Sequence, residues 1–453
     1  MAQMKSTINM TEGPIFKSIA LFAFPLLISN ILQLLYNAAD LIVVSNYAGS
    51  LAMGAVGATG SLTIMLVGSV TGIAVGANVV VARYFGANDQ SGIDRAMHTS
   101  IALALILSAI GTVTAELLSI PMLQWMDTPK EVFNGAVLYT RILYLGVPAQ
   151  IVYNFCAAIL RAMGDTKRPM YILGLSGIAN VLLNLVFVIV FHIDIAGVAI
   201  ATIVSQYLSA IFAFLCLAKG KQEFRLIPGN IRLHKKELIA ILGIGIPNTI
   251  SSCLISFSNV MVTSSVNSFG AAAISGYAAA NNIDAFVYMG MNSVSQATLT
   301  AVSQNYGAKN PKRMFKCMRR CLYFTVVVGV ILGGLVVAFS KPLLGIYIKD
   351  SAEAIKFAHT KNLYVSSIYF ICGIMEVLSQ TARGLGYSTT TTINALWTLV
   401  GTRIVWLNYI LPLNRCPEVL FMCWSISWVI SIVAHGLTIA IVKKKSIERM
   451  YAE

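Results

Sequence analysis

The chain has 453 residues, of which 57% are hydrophobic and only 11% are charged. A water-soluble protein of this composition would expose very large apolar patches, so the composition excludes a soluble globular protein and indicates a membrane protein. The formal net charge of +14 raises the question of a nucleic-acid partner, but we expect none, because the basic residues collect in alternate loops between apolar segments.

Twelve apolar segments reach about the 20 residues that a helix needs to cross a bilayer. In the first half of the chain they cover residues 16–44, 51–81, 96–118, 132–158, 170–191 and 197–218. In the second half they cover residues 238–265, 272–303, 321–339, 356–382, 390–411 and 419–442. The pattern predicts an all-α integral membrane protein with an N-lobe at 1–218, a cytoplasmic linker at 219–237 and a C-lobe at 238–453.

The second six segments repeat features of the first six about 222 residues later. Pro25 recurs as Pro247, and Asn37 recurs as Asn259. Because each copy has an even number of spans, both copies enter the membrane from the same side. The repeat therefore predicts two six-helix bundles related by a pseudo-two-fold axis along the membrane normal, an arrangement typical of transporters.

The basic residues also predict the orientation of the chain in the membrane. If both termini are cytoplasmic, 24 of the 32 Lys and Arg residues fall in cytoplasmic loops and ends. This asymmetry is the positive-inside pattern. We expect a monomeric, multi-pass protein of the plasma (inner) membrane, surrounded by membrane lipids and with both termini in the cytoplasm.

Sequence motifs for enzymes and for ATP-driven pumps are absent. The chain has no Gly-rich phosphate loop, and its five histidines form no ligand-spaced cluster. The longest polar connection, residues 219–237, is too short for a soluble catalytic domain. We therefore expect a secondary transporter with no catalytic residues and no cofactor apart from a coupling ion, H⁺ or Na⁺.

Three acidic residues lie clearly inside predicted spans, where a charge is costly and functional roles are common. They are Asp40, Asp284 and Glu376. For each residue, a structural hydrogen bond to a neighbouring helix is the alternative interpretation. Metal binding is not expected, beyond a possible Na⁺ at Asp40.

Asp40 is the strongest of these candidates, because polar residues on two other spans can join it. Asn180 and Asn184 are four residues apart and share one face of span five, and Thr202 lies on span six. One carboxylate with several neutral oxygens suits a hard cation, and a carboxylate held away from water also suits proton exchange. The sequence thus predicts a cation-coupling site and leaves Na⁺ and H⁺ open.

A substrate cavity is predicted from polar and aromatic residues within the spans. Gln33, Tyr36 and Asn37 share the helix face of Asp40. The full predicted set comprises Gln33, Tyr36, Asn37, Tyr139, Asn154, Asp284 and Glu376. Two other features concern the helices themselves: Pro25 predicts a kink or a hinge in span one, and Gly68, Gly72 and Gly76 predict close packing of span two against another helix.

The segment Arg161–Pro169, which reads RAMGDTKRP, resembles the signature of MATE (multidrug and toxic compound extrusion) transporters of the prokaryotic type. Pro25 with Asp40, the segments 197–206 and 306–308, and Glu376 leading into 383–386 are also similar to that family. The resemblance implies two six-helix bundles around a central cavity and export of organic, often cationic compounds, such as drugs or toxins, by alternating access in exchange for Na⁺ or H⁺.

The resemblance also implies roles for individual residues. It places Asp40, Asn180 and Thr202 in a cation site and makes Pro25 the bending point of span one. Members with two acidic residues in that site have Asp where this chain has Asn184, so the coupling ion stays open.

Two other functions are alternatives. A flippase for lipid-linked precursors, from the same superfamily, would need a cavity lined with basic residues, and we place only Arg141 and Arg403 well inside spans. An intramembrane lipid transferase would need a clustered catalytic motif, which we do not find in the sequence.

Overall fold

The computed structural model describes residues 7–44, 68, 71–125, 129–191, 193–220, 225–348 and 351–452. All regular secondary structure within these ranges is helical. In the first half the helices are α1 (Ile15–Val43), α2 (residues 71–86), α3 (Gln90–Trp125), α4 (Lys130–Tyr144), α5 (Val147–Ala162), α6 (Lys167–Leu185) and α7 (Asp194–Ala218). A π-helical segment, Val186–Val190, continues α6.

The second half follows the same pattern with more interruptions. Its helices are α8 (Lys235–Asn267), α9 (Ala271–Gly307), α10 (Pro311–Ala338), α11 (Ser340–Tyr347), α12 (Ala352–Tyr364), α13 (Tyr369–Gly384), α14 (Ser388–Ala395), α15 (Thr402–Val405) and α16 (Pro417–Ala452). Two π-helical segments, Leu396–Gly401 and Trp406–Ile410, flank α15. The start of α10 shows how the sequence fixes a helix end: Asn310 caps the backbone N–H of Arg313 at 3.0 Å, and Pro311 follows the cap.

Most predicted spans correspond to described helices. Among the described residues, nine helical stretches are long and apolar enough to cross a bilayer, and α4 with α5 forms a tenth that is bent by 42°. The predicted span 272–303 lies within α9, which has 37 residues. The predicted span 51–81 lies mostly outside the described residues.

The bend between α4 and α5 differs from the single span predicted at 132–158. Pro148 lies in the first turn of α5, two residues after Gly146. Proline lacks the N–H that would continue the hydrogen bonds of the preceding helix, and glycine weakens a helix. These two residues therefore account for the break.

The described chain divides into two compact units. The first contains Ile28–Thr249, and the second contains Asn9–Leu27 together with Ile250–Glu453. In the first, α7 packs against α4, α5 and α6; in the second, α9 packs against α10, α12 and α13. The core of the second unit includes the buried aromatic residues Phe357, Phe421, Trp424 and Trp428. The lobe boundaries given above describe membrane topology and remain a prediction.

Glycines bring α2 close to α8 within the first unit. A Cβ on Gly76 would collide with the carbonyl oxygen of Ile241, and a Cβ on Gly72 would collide with Thr249. Asn248 adds a hydrogen bond to the Gly72 carbonyl at 3.2 Å. The predicted close packing through Gly72 and Gly76 is confirmed, whereas no described residue lies within 4 Å of a Cβ on Gly68.

The segment before α1 is anchored to the second unit. The buried Met10 donates its backbone N–H to the Gln304 side chain at 2.9 Å. Its carbonyl accepts from Asn305 Nδ2 at 3.1 Å and from Arg313 Nε at 3.0 Å. Because buried backbone groups need partners, these bonds fix the chain at the start of the first helix.

Candidate functional site

Asp40 lies near the C-terminal end of α1 and is hydrogen-bonded to the two helices named from the sequence. Asn184 Nδ2 donates to Asp40 Oδ1 at 2.5 Å, and Thr202 Oγ1 lies 3.4 Å from Asp40 Oδ2. Asn184 Nδ2 is also 3.3 Å from Asn180 Oδ1. The structure therefore brings together all four residues of the predicted coupling site, while their role in coupling remains a prediction.

The local fold explains this geometry. Asn180 and Asn184 lie one helical turn apart on α6, and both are buried. Thr202 on α7 also donates to the Val198 carbonyl at 2.9 Å, which holds its hydroxyl beside the carboxylate. A π-helical segment begins two residues after Asn184, and such segments are frequent at functional sites.

One acceptor in this group is left without a partner. Asn184 Oδ1 is buried and has no hydrogen-bond partner among the described residues. The Nδ2 of the same amide contacts the Asp40 carboxylate and the Asn180 amide oxygen, and Thr202 Oγ1 lies 3.4 Å from that carboxylate. Buried polar atoms without partners are uncommon, and the set of oxygens suits a hard cation or a proton. The donor set therefore fits the coupling ion predicted from the sequence.

The first-unit residues predicted to line the cavity lie in different surroundings. Tyr36 is half-buried and donates its hydroxyl to the Leu173 carbonyl on α6, whereas Gln33 and Asn37 are exposed. Tyr139 is buried in an apolar cluster with Val43 and other residues. Asn154 donates to the Gln150 carbonyl of its own helix at 2.8 Å.

Asp284 is part of a buried ion pair in the second unit. Lys361 Nζ lies 2.5 Å from Asp284 Oδ2, and Ser366 Oγ donates to Asp284 Oδ1 at 2.5 Å. The Lys361 ammonium also lies 5.1 Å from the centre of the Tyr277 ring. The charge of Asp284 is thus compensated within the protein, while its place in a substrate cavity remains a prediction.

Lys361 was missed in the sequence analysis, and the count of basic residues inside spans was therefore wrong. The residue lies within the predicted span 356–382, so its position was the available signal. Its side chain is 2% exposed. Because it is paired with Asp284, it adds no net charge to the interior of the second unit.

Glu376 has a buried basic residue of the second unit as its electrostatic partner. Glu376 is half-buried and interacts electrostatically with Arg383 and Tyr288. Arg383 is buried, and its Nη2 donates to Ser251 Oγ at 3.2 Å. Arg141, by contrast, is half-exposed and lies 3.9 Å from Glu116.

A cavity of about 680 Å³ lies elsewhere in the second unit. It contains none of the predicted site residues. Its lining includes the basic side chains of Lys312, Lys316, Arg319, Arg320 and Lys443.

Comparison with known proteins adds a family match. The model of the MatE family matches residues 25–187 and 247–410, which together make up more than half of the chain. The two stretches begin at Pro25 and Pro247, the prolines that mark the internal repeat.

Relatives include two named multidrug proteins. The probable multidrug resistance protein YoeA of Bacillus subtilis is 26% identical over 397 residues, which cover 85% of this chain and 86% of that protein. The multidrug export protein MepA of Staphylococcus aureus is 22% identical over 344 residues, covering 75% of each.

Solved structures share the fold over the full length. A crystal structure of MATE in the bent conformation matches with a TM-score of 0.88 at 21% identity, covering 98% of this chain and 100% of that chain. The outward-facing conformation of a multidrug resistance MATE family transporter of the MOP superfamily matches with a TM-score of 0.86 at 21% identity and the same coverage. These matches confirm the predicted all-α membrane fold.

Proposed function

Because the chain belongs to the MatE family, whose members are membrane transporters and not enzymes, we propose that it exports organic compounds in exchange for H⁺ or Na⁺. The names of YoeA and MepA support drug-like substrates. As in the resemblance described above, we expect many of these compounds to be cationic. The basic-residue pattern supports a plasma-membrane location with both termini in the cytoplasm.

The observation that carries the proposal is the hydrogen-bonded group around Asp40. A carboxylate with an unpartnered amide oxygen beside it can bind a small cation and be neutralised by it. Neutralising an intramembrane carboxylate changes the energy of the surrounding helices, because the charge no longer needs compensation. Binding at Asp40 can therefore favour one conformation over another, as coupling requires.

Bending of α1 links the ion to the exported compound in this mechanism. Pro25 lies inside α1, fifteen residues before Asp40, and removes one backbone hydrogen bond from that helix. We propose that cation binding at Asp40 bends α1 at Pro25 and expels the substrate. Binding of the cation and binding of the substrate then oppose each other.

The driving force is sufficient for useful export. Each net charge that moves across the membrane gains about 2.3 kcal/mol per 100 mV, which corresponds to roughly a fifty-fold gradient. Exchange of one proton for one monovalent cation moves no net charge, so the ion concentration gradient alone would drive that exchange.

Dye efflux from proteoliposomes with Na⁺ and pH gradients imposed separately tests the proposal. We expect wild-type protein to export a fluorescent organic cation under one of the two gradients, and Asp40→Asn to lose this gradient dependence. Glu353→Gln makes the same chemical change at an exposed acid and should transport normally. Unimpaired gradient-driven efflux by Asp40→Asn at normal protein levels would refute the proposed role of Asp40.

A further inference from the structure

Arg403 is a buried cation with an incomplete set of partners. It lies on α15 within the helical stretch Ser388–Leu413, and its side chain is 3% exposed. Its Nη1 donates to Ser258 Oγ at 3.1 Å and to Asn259 Oδ1 at 2.8 Å. Its guanidinium carbon lies 5.4 Å from the centre of the Trp424 ring. These contacts hold one end of the guanidinium group and leave its positive charge uncompensated.

Arg403 forms no ion pair with any carboxylate among the described residues. Its Nε is buried and has no acceptor among the described residues. Its two hydrogen bonds to described residues both come from Nη1, and none comes from Nη2. Nε–H and Nη2–H lie side by side on one edge of the guanidinium plane. That edge is the fork that binds a carboxylate with two parallel hydrogen bonds.

Arg383 also has a buried Nε without an acceptor among the described residues, but it and Lys361 each interact with an acidic residue. Lys361 is paired with Asp284, and Arg383 interacts with Glu376. A buried charge without a counter-charge is strongly unfavourable inside a membrane protein. Arg403 is therefore a site at which an added anion would relieve a cost that the chain itself leaves in place.

The internal repeat places Arg403 in a span whose counterpart in the first copy is α6. In the first copy, Asp40 on α1 is hydrogen-bonded to Asn184 on α6. In the second copy, Asn259 on α8 is hydrogen-bonded to Arg403, which follows α14 in the span that repeats α6. Val262 stands 222 residues after Asp40, where the carboxylate would be. The same two spans of each copy thus carry a negative group in one unit and a positive group in the other.

Both positions also lie beside irregular helix. The π-helical segment Val186–Val190 follows Asn184 by two residues, and π-helical segments lie on both sides of α15. Such segments displace side chains from regular helical positions and recur at binding sites. This similarity concerns the backbone and is independent of the charges.

We propose that Arg403, with Asn259 and Trp424, binds the carboxylate group of an aromatic organic acid or zwitterion among the exported compounds. The proposal rests on the proposed function, since it concerns what the transporter carries. Asn259 is exposed and contacts Arg403 directly, so it marks the side from which a ligand reaches the guanidinium. The Trp424 ring, whose centre lies 5.4 Å from the guanidinium carbon, would be the aromatic contact for the ring of the ligand.

Equilibrium binding to the purified full-length protein tests the site. The probes are a xanthene dye with a free benzoate group and the methyl ester of the same dye, which differ only in the carboxylate. We expect Arg403→Gln to weaken binding of the free benzoate dye by about tenfold or more and to leave binding of the ester within about twofold. Arg141→Gln removes an exposed intramembrane arginine and should change neither.

The variant Asn259→Asp provides a second test of the site in case Arg403→Gln misfolds. It places a carboxylate where an oxygen already accepts from Arg403 at 2.8 Å, so the protein supplies its own counter-ion. We expect this variant to lose benzoate-dye binding about tenfold as well, but to unfold at a higher temperature than Arg403→Gln.

Several outcomes would overturn the proposal. Equal loss of both dyes in Arg403→Gln would indicate a structural role, and unchanged preference between the dyes in both variants would exclude a carboxylate site. Arg403-dependent binding of chloride, measured by Trp fluorescence without any effect on the dyes, would indicate an inorganic anion instead. If the ester were not exported under a cation gradient while the benzoate dye still bound in an Arg403-dependent manner, the proposed function would be refuted. The proposed binding site would then stand.

Discussion

Lys361 on α12 and Asp284 on α9 form a buried ion pair with an N–O distance of 2.5 Å. Removing one partner of such a pair leaves a charge without compensation. We expect Lys361→Met and Asp284→Leu each to destabilise the protein by about 3–5 kcal/mol, and the double variant to recover most of that loss. Thermal unfolding of detergent-purified protein measures the effect. Lys356→Met, an exposed lysine on the same helix, is the control. Additive losses in the double variant would contradict the prediction.

Asn184→Ala removes both the donor to Asp40 and the unpartnered oxygen beside it. We expect the apparent affinity for the coupling cation to fall about tenfold, which corresponds to about 1.4 kcal/mol. Efflux measured over a range of cation concentrations gives this value. Asn408→Ala removes an amide that bonds only its own helix, at the Ile404 carbonyl, and should leave the affinity unchanged. An unchanged cation dependence in Asn184→Ala would show that this amide takes no part in coupling.

Gly76→Ala tests the contact between α2 and α8. The added methyl group meets the Ile241 carbonyl, which belongs to the backbone and cannot move aside cheaply. We expect a loss of about 1–3 kcal/mol in the free energy of unfolding. Gly68→Ala makes the same change where no atom of the described part of the chain lies within 4 Å, and should be neutral. Similar unfolding temperatures for the two variants would show that the contact is looser than described.

Asp89 gives a pH-dependent prediction outside the membrane. Its carboxylate accepts from the Gly92 backbone N–H at 2.9 Å and caps the start of α3, which lowers the pKa of Asp89 below its ordinary value. A lowered pKa means that the stabilisation is complete above the unfolded-state value near about 4 and is lost as the pH falls.

Replacing Asp89 separates the cap from the charge. Asp89→Ala should cost about 0.5–2 kcal/mol at neutral pH. Asp89→Ser keeps a capping oxygen and should retain most stability while losing the dependence on acidic pH. Unfolding temperatures recorded between about pH 3 and about pH 7 would show both effects. If Asp89→Ser kept the wild-type pH dependence, another group would be its source.

The spans were predictable from local patterns, and the Asp40 group was predictable from polar residues within neighbouring spans together with the resemblance to MATE transporters. Apolar length locates a span, and the four-residue spacing of Asn180 and Asn184 places both on one helix face. The spacing of Gln33 and Asn37 placed them on the face of Asp40 as well, yet both are exposed. Which part of a helix face meets its neighbours depends on tertiary packing, which spacing alone does not specify.

The ion pair of Asp284 and Lys361 in the second unit was less predictable. Asp284 and Lys361 are 77 residues apart in the chain, so their pairing follows from how α9 packs against α12. The break between α4 and α5 had a local signal in Gly146 and Pro148. A hydropathy profile does not take the helix-breaking effect of these residues into account. The position of the helices could therefore be predicted from the sequence. Which charged residues pair inside the membrane could be determined only from the structure.

The anchoring of Met10 has a practical consequence for handling the protein. Deleting residues through Gly13 would remove the acceptors of Arg313 and leave Gln304 and Asn305 buried with fewer bonds. An affinity tag fused ahead of residue 7 leaves those bonds in place. Shortening the amino-terminal tail to improve crystals would therefore reduce the stability of the protein. Lengthening the tail with a tag would not.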